Sequence, residues 1–141
     1  MKFLNKVFAR RTPAVTPLDE VRTLINRFAT ATIVGVDPED IGRYPVKQRK
    51  VMAFHFGAIE YLARQHGLDE TVLLAVFVSF LVRYFYLPVS VTGSISERLQ
   101  GFRDDADERR YLEAGADVIR RWHEDGDRRA PLQLGEMLKQ D

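Results

Sequence analysis

The sequence contains no cysteine among its 141 residues. A disulfide framework, a thiolate metal site and a cysteine nucleophile are therefore excluded. The chain is long enough to form one domain with its own hydrophobic core, so its stability requires neither a metal nor a cross-link. The absence of cysteine is compatible with the reducing cytoplasm, which is the location we expect.

Several motifs that carry chemistry are also missing. The sequence has no Gly-rich phosphate loop, no G-x-S-x-G elbow and no HExxH metal motif. Segment 104–107 superficially resembles the start of a calcium loop, but Arg109 occupies the position of the third ligand. His55, His66 and His123 are too widely spaced to form a metal site on one helix face. We therefore predict no catalytic residue, no metal and no cofactor.

No hydrophobic run is both long enough and free enough of charge to span a membrane. The most apolar stretch, 71–87, is interrupted by Ser79 and Arg83, whereas a span needs roughly 20 apolar residues with few or no charges. A helix that is apolar around nearly its whole circumference must be surrounded by other elements. We therefore predict that residues of about 70–87 form the central helix of a water-soluble fold.

Helix start and stop signals predict five or six helices in all. The Thr16–Pro17 pair is typical of a helix start, and Gly67 is typical of the end of a long helix over 46–66. His55 lies on the apolar stripe of that helix, which predicts a core histidine with one hydrogen bond. No pair of convincing strands is present, so we predict an all-α compact bundle in which the 46–66 and 70–87 helices form an antiparallel hairpin.

The first fifteen residues differ in character from the rest of the chain. Four of their side chains form one apolar stripe at helical spacing: Phe3, Leu4, Val7 and Phe8. This stripe is interrupted too early for a secretory signal, which needs about 7–15 apolar residues in a row. We interpret residues 1–15 as a basic amphipathic arm and residues 16–141 as a single all-helical domain. The arm either contacts a membrane surface, docks on this domain or on a second copy, or is frayed.

The net charge of +1 conceals a gradient along the chain. Residues 1–50 carry ten Lys/Arg against five Asp/Glu, while residues 101–141 carry eight against eleven. An acidic C-terminal third would repel a polyanion, and the isoelectric point near 8.0 is low for a nucleic-acid-binding domain. We therefore do not expect nucleic acid as a partner. The gradient either favours a polarised partner or reflects ordinary solvated surface.

Four cations, which we call the basic corner, form the sharpest local irregularity: Arg43, Lys47, Arg49 and Lys50. Three of them fall in the first turn and a half of a predicted helix, where the helix dipole disfavours each by a few tenths of a kcal/mol. Positions that break a local rule often serve a function. The basic corner either binds an acidic partner or an anion, or is a solvated surface neutralised by the acidic segment 37–40.

Aromatic residues close the predicted central helix, where Tyr84 and Tyr86 flank Phe85 and Arg83 precedes them. They either complete the core or line a pocket or a self-association surface. Taken together, these features predict a small non-enzymatic protein–protein interaction module that forms a homodimer and presents the basic corner to an acidic partner. One alternative is a peripheral membrane protein held by its N-terminal segment. Another is a small-ligand binder or enzyme with a pocket near Tyr84 and Tyr86.

Overall fold

The computed structural model describes residues 15–86 and 95–141. Within these ranges the chain forms seven α-helices, one 3-10 turn and no strand, so the predicted all-α class is confirmed. In chain order the elements are α1 (Pro17–Ile33), α2 (Pro38–Gly42), α3 (Pro45–Gln65), α4 (Glu70–Phe85), α5 (Ile95–Asp104), α6 (Ala106–His123), the 3-10 turn Ala130–Leu132 and α7 (Gln133–Gln140).

The amphipathic arm, apart from Val15, lies outside the described residues. The membrane contact proposed for Phe3, Leu4, Val7 and Phe8 therefore stays a prediction. None of the helices in the two described ranges has the length and apolar character needed to cross a membrane.

The helix boundaries follow from local hydrogen bonds that the sequence signals anticipate. At the start of α1, the backbone N–H of Asp19 donates to the hydroxyl of Thr16 over 3.1 Å. At the end of α3, Gly67 adopts a φ of +67°, and the N–H of Leu68 donates to the carbonyl of Ala63 over 2.8 Å. This is a Schellman ending, which favours glycine at the left-handed position. The predicted start at Thr16 and end at Gly67 are both confirmed.

The most deeply buried helix is α3, which packs against α1, α4 and α6. Every residue from Lys50 to Glu60 is buried. The sequence predicted instead that α4 would be central, but α4 buries one face and leaves Val82 37% exposed. Its buried residues are Leu73, Val76, Phe77, Phe80, Leu81 and Phe85. The three buried polar side chains of α3, Lys50, His55 and Glu60, each have a hydrogen-bond partner. This pairing offsets the cost of burying them in the central helix.

The central contact of the fold joins α3 directly to α6, backbone against backbone. A methyl group on Gly57 would lie 1.9 Å from the carbonyl oxygen of Leu112. A methyl group on Gly115 would lie 1.8 Å from the carbonyl oxygen of Phe54. The two contacts are reciprocal, so each helix needs a residue without Cβ where it meets the other.

The buried apolar side chains form one continuous cluster, to which α1, α3, α4, α5, α6 and α7 all contribute. Phenylalanines fill much of it: the ring centroid of Phe56 lies 5.0 Å from that of Phe77 and 6.3 Å from that of Phe102. Phe56 meets Phe77 edge to face, an arrangement that aromatic rings favour. Helices from both described ranges therefore share this core.

Candidate functional site

Two cations of the basic corner, Arg43 and Lys47, are paired with carboxylates of α2. The guanidinium of Arg43 lies 3.8 Å from Glu39, and the ammonium of Lys47 lies 3.6 Å from Asp40. Both acids belong to the acidic segment 37–40, which the sequence analysis considered as neutralising the charge of the basic corner. A soluble anion at this end of the corner would have to compete with both of them.

The other two cations, Arg49 and Lys50, bind residues far away in the sequence. Arg49 Nε lies 2.7 Å from a carboxylate oxygen of Glu108, and Lys50 Nζ lies 3.2 Å from Asp141. Burial raises the pKa of Glu108, and the charge of Arg49 opposes that rise. Each cation of the basic corner therefore has a carboxylate within 4 Å. Three of them, Lys47, Arg49 and Lys50, lie in α3 and connect it to α2, to α6 and to Asp141. Binding of an external anion there stays a prediction.

Asp141 is the acceptor in a cluster that fastens the C-terminal end of the chain to α3 and α6. It accepts hydrogen bonds from Lys50, from Arg110 at 2.9 Å and from the hydroxyl of Tyr111. The hydrogen bond from Tyr111 is the main cause that holds the pKa of Asp141 below its usual value. Burial, followed by the same hydrogen bond, raises the pKa of Tyr111. This tyrosine therefore stays protonated at neutral pH, and the cluster stabilises the fold.

The Asp141→Asn variant is expected to lose about 2 kcal/mol of unfolding free energy, because Lys50 would be left with a neutral partner in a poorly hydrated site. Urea denaturation at neutral pH measures this loss. Asp117→Asn is the matched control, since Asp117 is an exposed partner of Arg120 and Arg121 and should change stability by less than about 1 kcal/mol. Equal effects of the two substitutions would contradict the role assigned to Asp141.

The structure places His55 inside the core, as predicted, but with two hydrogen bonds in place of the expected one. Its Nδ1 lies 2.9 Å from the carbonyl oxygen of Val51, and its Nε2 lies 2.6 Å from the hydroxyl of Thr32. Burial lowers the pKa of His55 to about 4. The ring is therefore neutral: Nδ1 donates to Val51, and Nε2 accepts from Thr32. Both nitrogens are engaged by the protein itself.

The other two histidines, distant in the sequence, meet at one surface depression. His66 and His123 line it together with Glu20, whose carboxylate lies 3.1 Å from Nε2 of His66. The Nδ1 of His66 donates to the carbonyl of Leu62 over 2.9 Å. Among the residues that the structure describes, no group of three or more His, Cys, Asp or Glu side chains is arranged to hold a metal ion.

The aromatic run at the end of α4 is divided between the core and the surface. Phe85 is buried, whereas Tyr84 and Tyr86 line an apolar groove of about 450 Å³, which we call the tyrosine groove. The remaining lining residues are Ile33, Val36, Pro38, Ile41, Gly42, Gln48 and Phe85 itself. Tyr86 has a φ of +54° and is 87% exposed, so its side chain is held away from the core.

Arg83, which the sequence analysis grouped with these tyrosines, lines a different cavity. This cavity, the α1–α4 cleft, has a volume of about 260 Å³. Its described lining residues are Arg22, Ile25 and Asn26 from α1, and Val76, Ser79, Phe80 and Arg83 from α4. In each helix the lining residues follow the first of them by three, four or seven positions and therefore share one face. Sequence reasoning missed Arg22 and Asn26, although their four-residue spacing beside the apolar stripe of α1 was a usable signal.

No family model, no curated protein and no solved structure matches the chain. The function must therefore be inferred from the geometry of these surfaces. The tyrosine groove and the α1–α4 cleft are depressions whose described lining combines apolar and polar side chains, whereas the cations of the basic corner and the Asp141 cluster are engaged in internal ion pairs.

Proposed function

We propose that the protein is a small, non-enzymatic helical module that associates with a second copy of itself through the tyrosine groove. The observation that carries this proposal is that the groove has a mainly apolar lining and that two large exposed side chains belong to that lining or directly follow it in sequence. Tyr86 is 87% exposed, and Val34, which directly follows the lining residue Ile33, is 81% exposed. On soluble proteins in general, contiguous exposed apolar surface marks sites of association, and tyrosine is enriched in interfaces.

The charges beside the groove support a second copy as the occupant. Helix α2, the start of α3 and the link between them contribute Gly42 and Gln48 to the groove lining and carry both signs of charge, in the pairs Arg43 with Glu39 and Lys47 with Asp40. In a twofold dimer the same surface meets itself, so a mixed-charge border lets a cation of one copy face an acid of the other. An exclusively acidic partner would gain less, because it would also face the acids Glu39 and Asp40 beside these cations. The net charge of +1 gives little repulsion between copies.

The double variant Val34→Asp/Tyr86→Asp is expected to weaken dimerisation at least about tenfold, because a carboxylate buried without a partner is costly. Sedimentation-velocity ultracentrifugation over a range of concentrations measures this: the wild type should shift from monomer to dimer, and the variant should stay monomeric. Aspartate is suitable at position 86 because it tolerates the left-handed backbone found there.

Val15→Asp is the matched control, since Val15 is 68% exposed and lies at the opposite end of α1 from Val34. It should dimerise like the wild type. Helical circular dichroism of all three proteins should agree, because each substituted side chain is exposed. A wild type that stays monomeric at all concentrations, or a double variant that dimerises equally well, would refute association through this groove.

A further inference from the structure

We propose that the α1–α4 cleft binds a small organic carboxylate. The carboxylate group lies between Arg22 and Arg83, and the apolar body of the ligand covers the floor formed by Ile25, Val76 and Phe80. The described lining of this site shares no residue with that of the tyrosine groove, and the site does not depend on self-association.

The first argument is that two cations face the cleft without acidic partners. All twenty Asp and Glu residues of the chain fall within the described ranges. None of these carboxylates lies within 4 Å of the guanidinium of Arg22 or Arg83. The basic corner is the opposite case, because each of its cations is paired. Guanidinium groups bind carboxylates through two parallel hydrogen bonds. Arg22 and Arg83 can therefore bind the carboxylate of a ligand, whereas the cations of the basic corner already bind carboxylates of the protein.

Neutral donors complete the polar side of the cleft. The hydroxyl of Tyr84 donates to Oδ1 of Asn26 over 3.5 Å, which leaves Nδ2 of Asn26 as a donor for a ligand. Ser79 adds a hydroxyl one turn before Arg83 on α4. The guanidinium of Arg83 also lies 5.5 Å from the ring centroid of Tyr84, a cation–π contact that limits where its side chain can point.

The floor of the cleft distinguishes an organic carboxylate from a bare inorganic anion. Ile25, Val76 and Phe80 are buried members of the core whose outer atoms line the cavity. Only 3–4% of each residue is exposed, and a ligand with an apolar body removes this small remaining surface from water, which inorganic phosphate does not do. The volume of about 260 Å³ falls below the roughly 300–1,000 Å³ of pockets for drug-sized ligands. The cleft therefore suits a body of about one ring or one short branched chain.

Isothermal titration calorimetry with phenylacetate tests the proposal on the full chain. The wild type should bind with a Kd on the order of 1 mM, and Arg22→Gln/Arg83→Gln should bind at least about tenfold more weakly. Arg27→Gln is the matched control, because Arg27 is an exposed arginine of α1 outside the cleft lining; it should bind like the wild type. Phenylacetamide, which has the same ring without the charge, and inorganic phosphate should both bind more weakly than phenylacetate.

Melting temperatures show whether the variants are folded. The substituted arginines are exposed, so the variants should have the same melting temperature as the wild type. Arg83→Lys retains the charge but loses the planar fork, and its affinity should fall between those of the wild type and the double variant. Absence of phenylacetate binding, equal binding by Arg22→Gln/Arg83→Gln, or phosphate binding as tightly as phenylacetate would each overturn the proposal. The Val34→Asp/Tyr86→Asp variant should bind phenylacetate normally, and a loss there would overturn the assignment to a cleft within one copy.

Discussion

Gly57→Ala is expected to lower the free energy of unfolding by about 3 kcal/mol or more, at the upper end of overpacking effects. The new methyl group would lie 1.9 Å from the carbonyl oxygen of Leu112. The obstacle is backbone, so no side-chain rotation relieves it, and α3 and α6 must move apart. The gain in helix propensity from glycine to alanine, about 1 kcal/mol, is too small to offset this cost. The methyl group added by Gly115→Ala would lie 1.8 Å from the carbonyl oxygen of Phe54, and this variant should lose a similar amount of unfolding free energy.

Thermal and urea unfolding measure this effect, and each variant should melt roughly 10 °C below the wild type. Gly101→Ala is the matched control, because Gly101 lies within α5 and no described atom lies within 4 Å of an added methyl group. That substitution should be neutral or stabilising by up to about 1 kcal/mol. If Gly57→Ala is as stable as Gly101→Ala, then α3 and α6 are not in backbone contact in solution.

Acidification is expected to destabilise the protein by about 3 kcal/mol between pH 6.5 and pH 4 through His55 alone. The pKa of this histidine is about 4 in the folded protein, whereas the pKa of a solvent-exposed histidine is 6.5. Between these two pKa values the unfolded chain binds a proton at His55 and the folded protein does not. The free energy of unfolding therefore falls by about 1.4 kcal/mol for each pH unit in this window. The stabilisation is complete above pH 6.5 and is lost as the pH falls towards 4.

Urea denaturation at closely spaced pH values measures this slope, and His55→Gln should flatten it even though the substitution lowers stability at neutral pH. Gly101→Ala is the control, since it changes no titratable group and no described atom lies within 4 Å of the added methyl group, and it should retain the slope of the wild type. The raised pKa of Glu108 changes stability in the opposite sense, but it is present in all three proteins and cancels in the comparison. An unchanged slope in His55→Gln would contradict a neutral buried histidine.

The helices could be predicted from the sequence because their signals are local. The Thr16 cap acts over three residues, and the hydrogen bonds at Gly67 and Leu68 close over three to five. Such signals do not depend on where other helices lie. The all-α class, the start of α1 and the end of α3 could therefore be predicted from the sequence.

The candidate sites were predicted less completely, because they depend on residues far apart in the chain. Arg49 meets Glu108 across 59 positions, and Lys50 meets Asp141 across 91. The helical spacing that singled out the basic corner carries no information about such partners. Arg22 was not predicted for the same reason. It is a candidate ligand-binding residue because α1 and α4 line one cleft, which the sequence does not indicate.

The sequence by itself determined that this chain is helical, that one helix begins after Thr16 and another ends at Gly67, and that His55 belongs inside. Those properties depend on hydrogen bonds and apolar spacing within a few turns. Only the tertiary structure decided that α3 is the buried helix. It also decided that the cations of the basic corner are paired, whereas no carboxylate accompanies Arg22 or Arg83 within the described ranges. Burial and ion pairing are set by which helices meet, and the meeting of α3 with α6 depends on two glycines that are 58 positions apart.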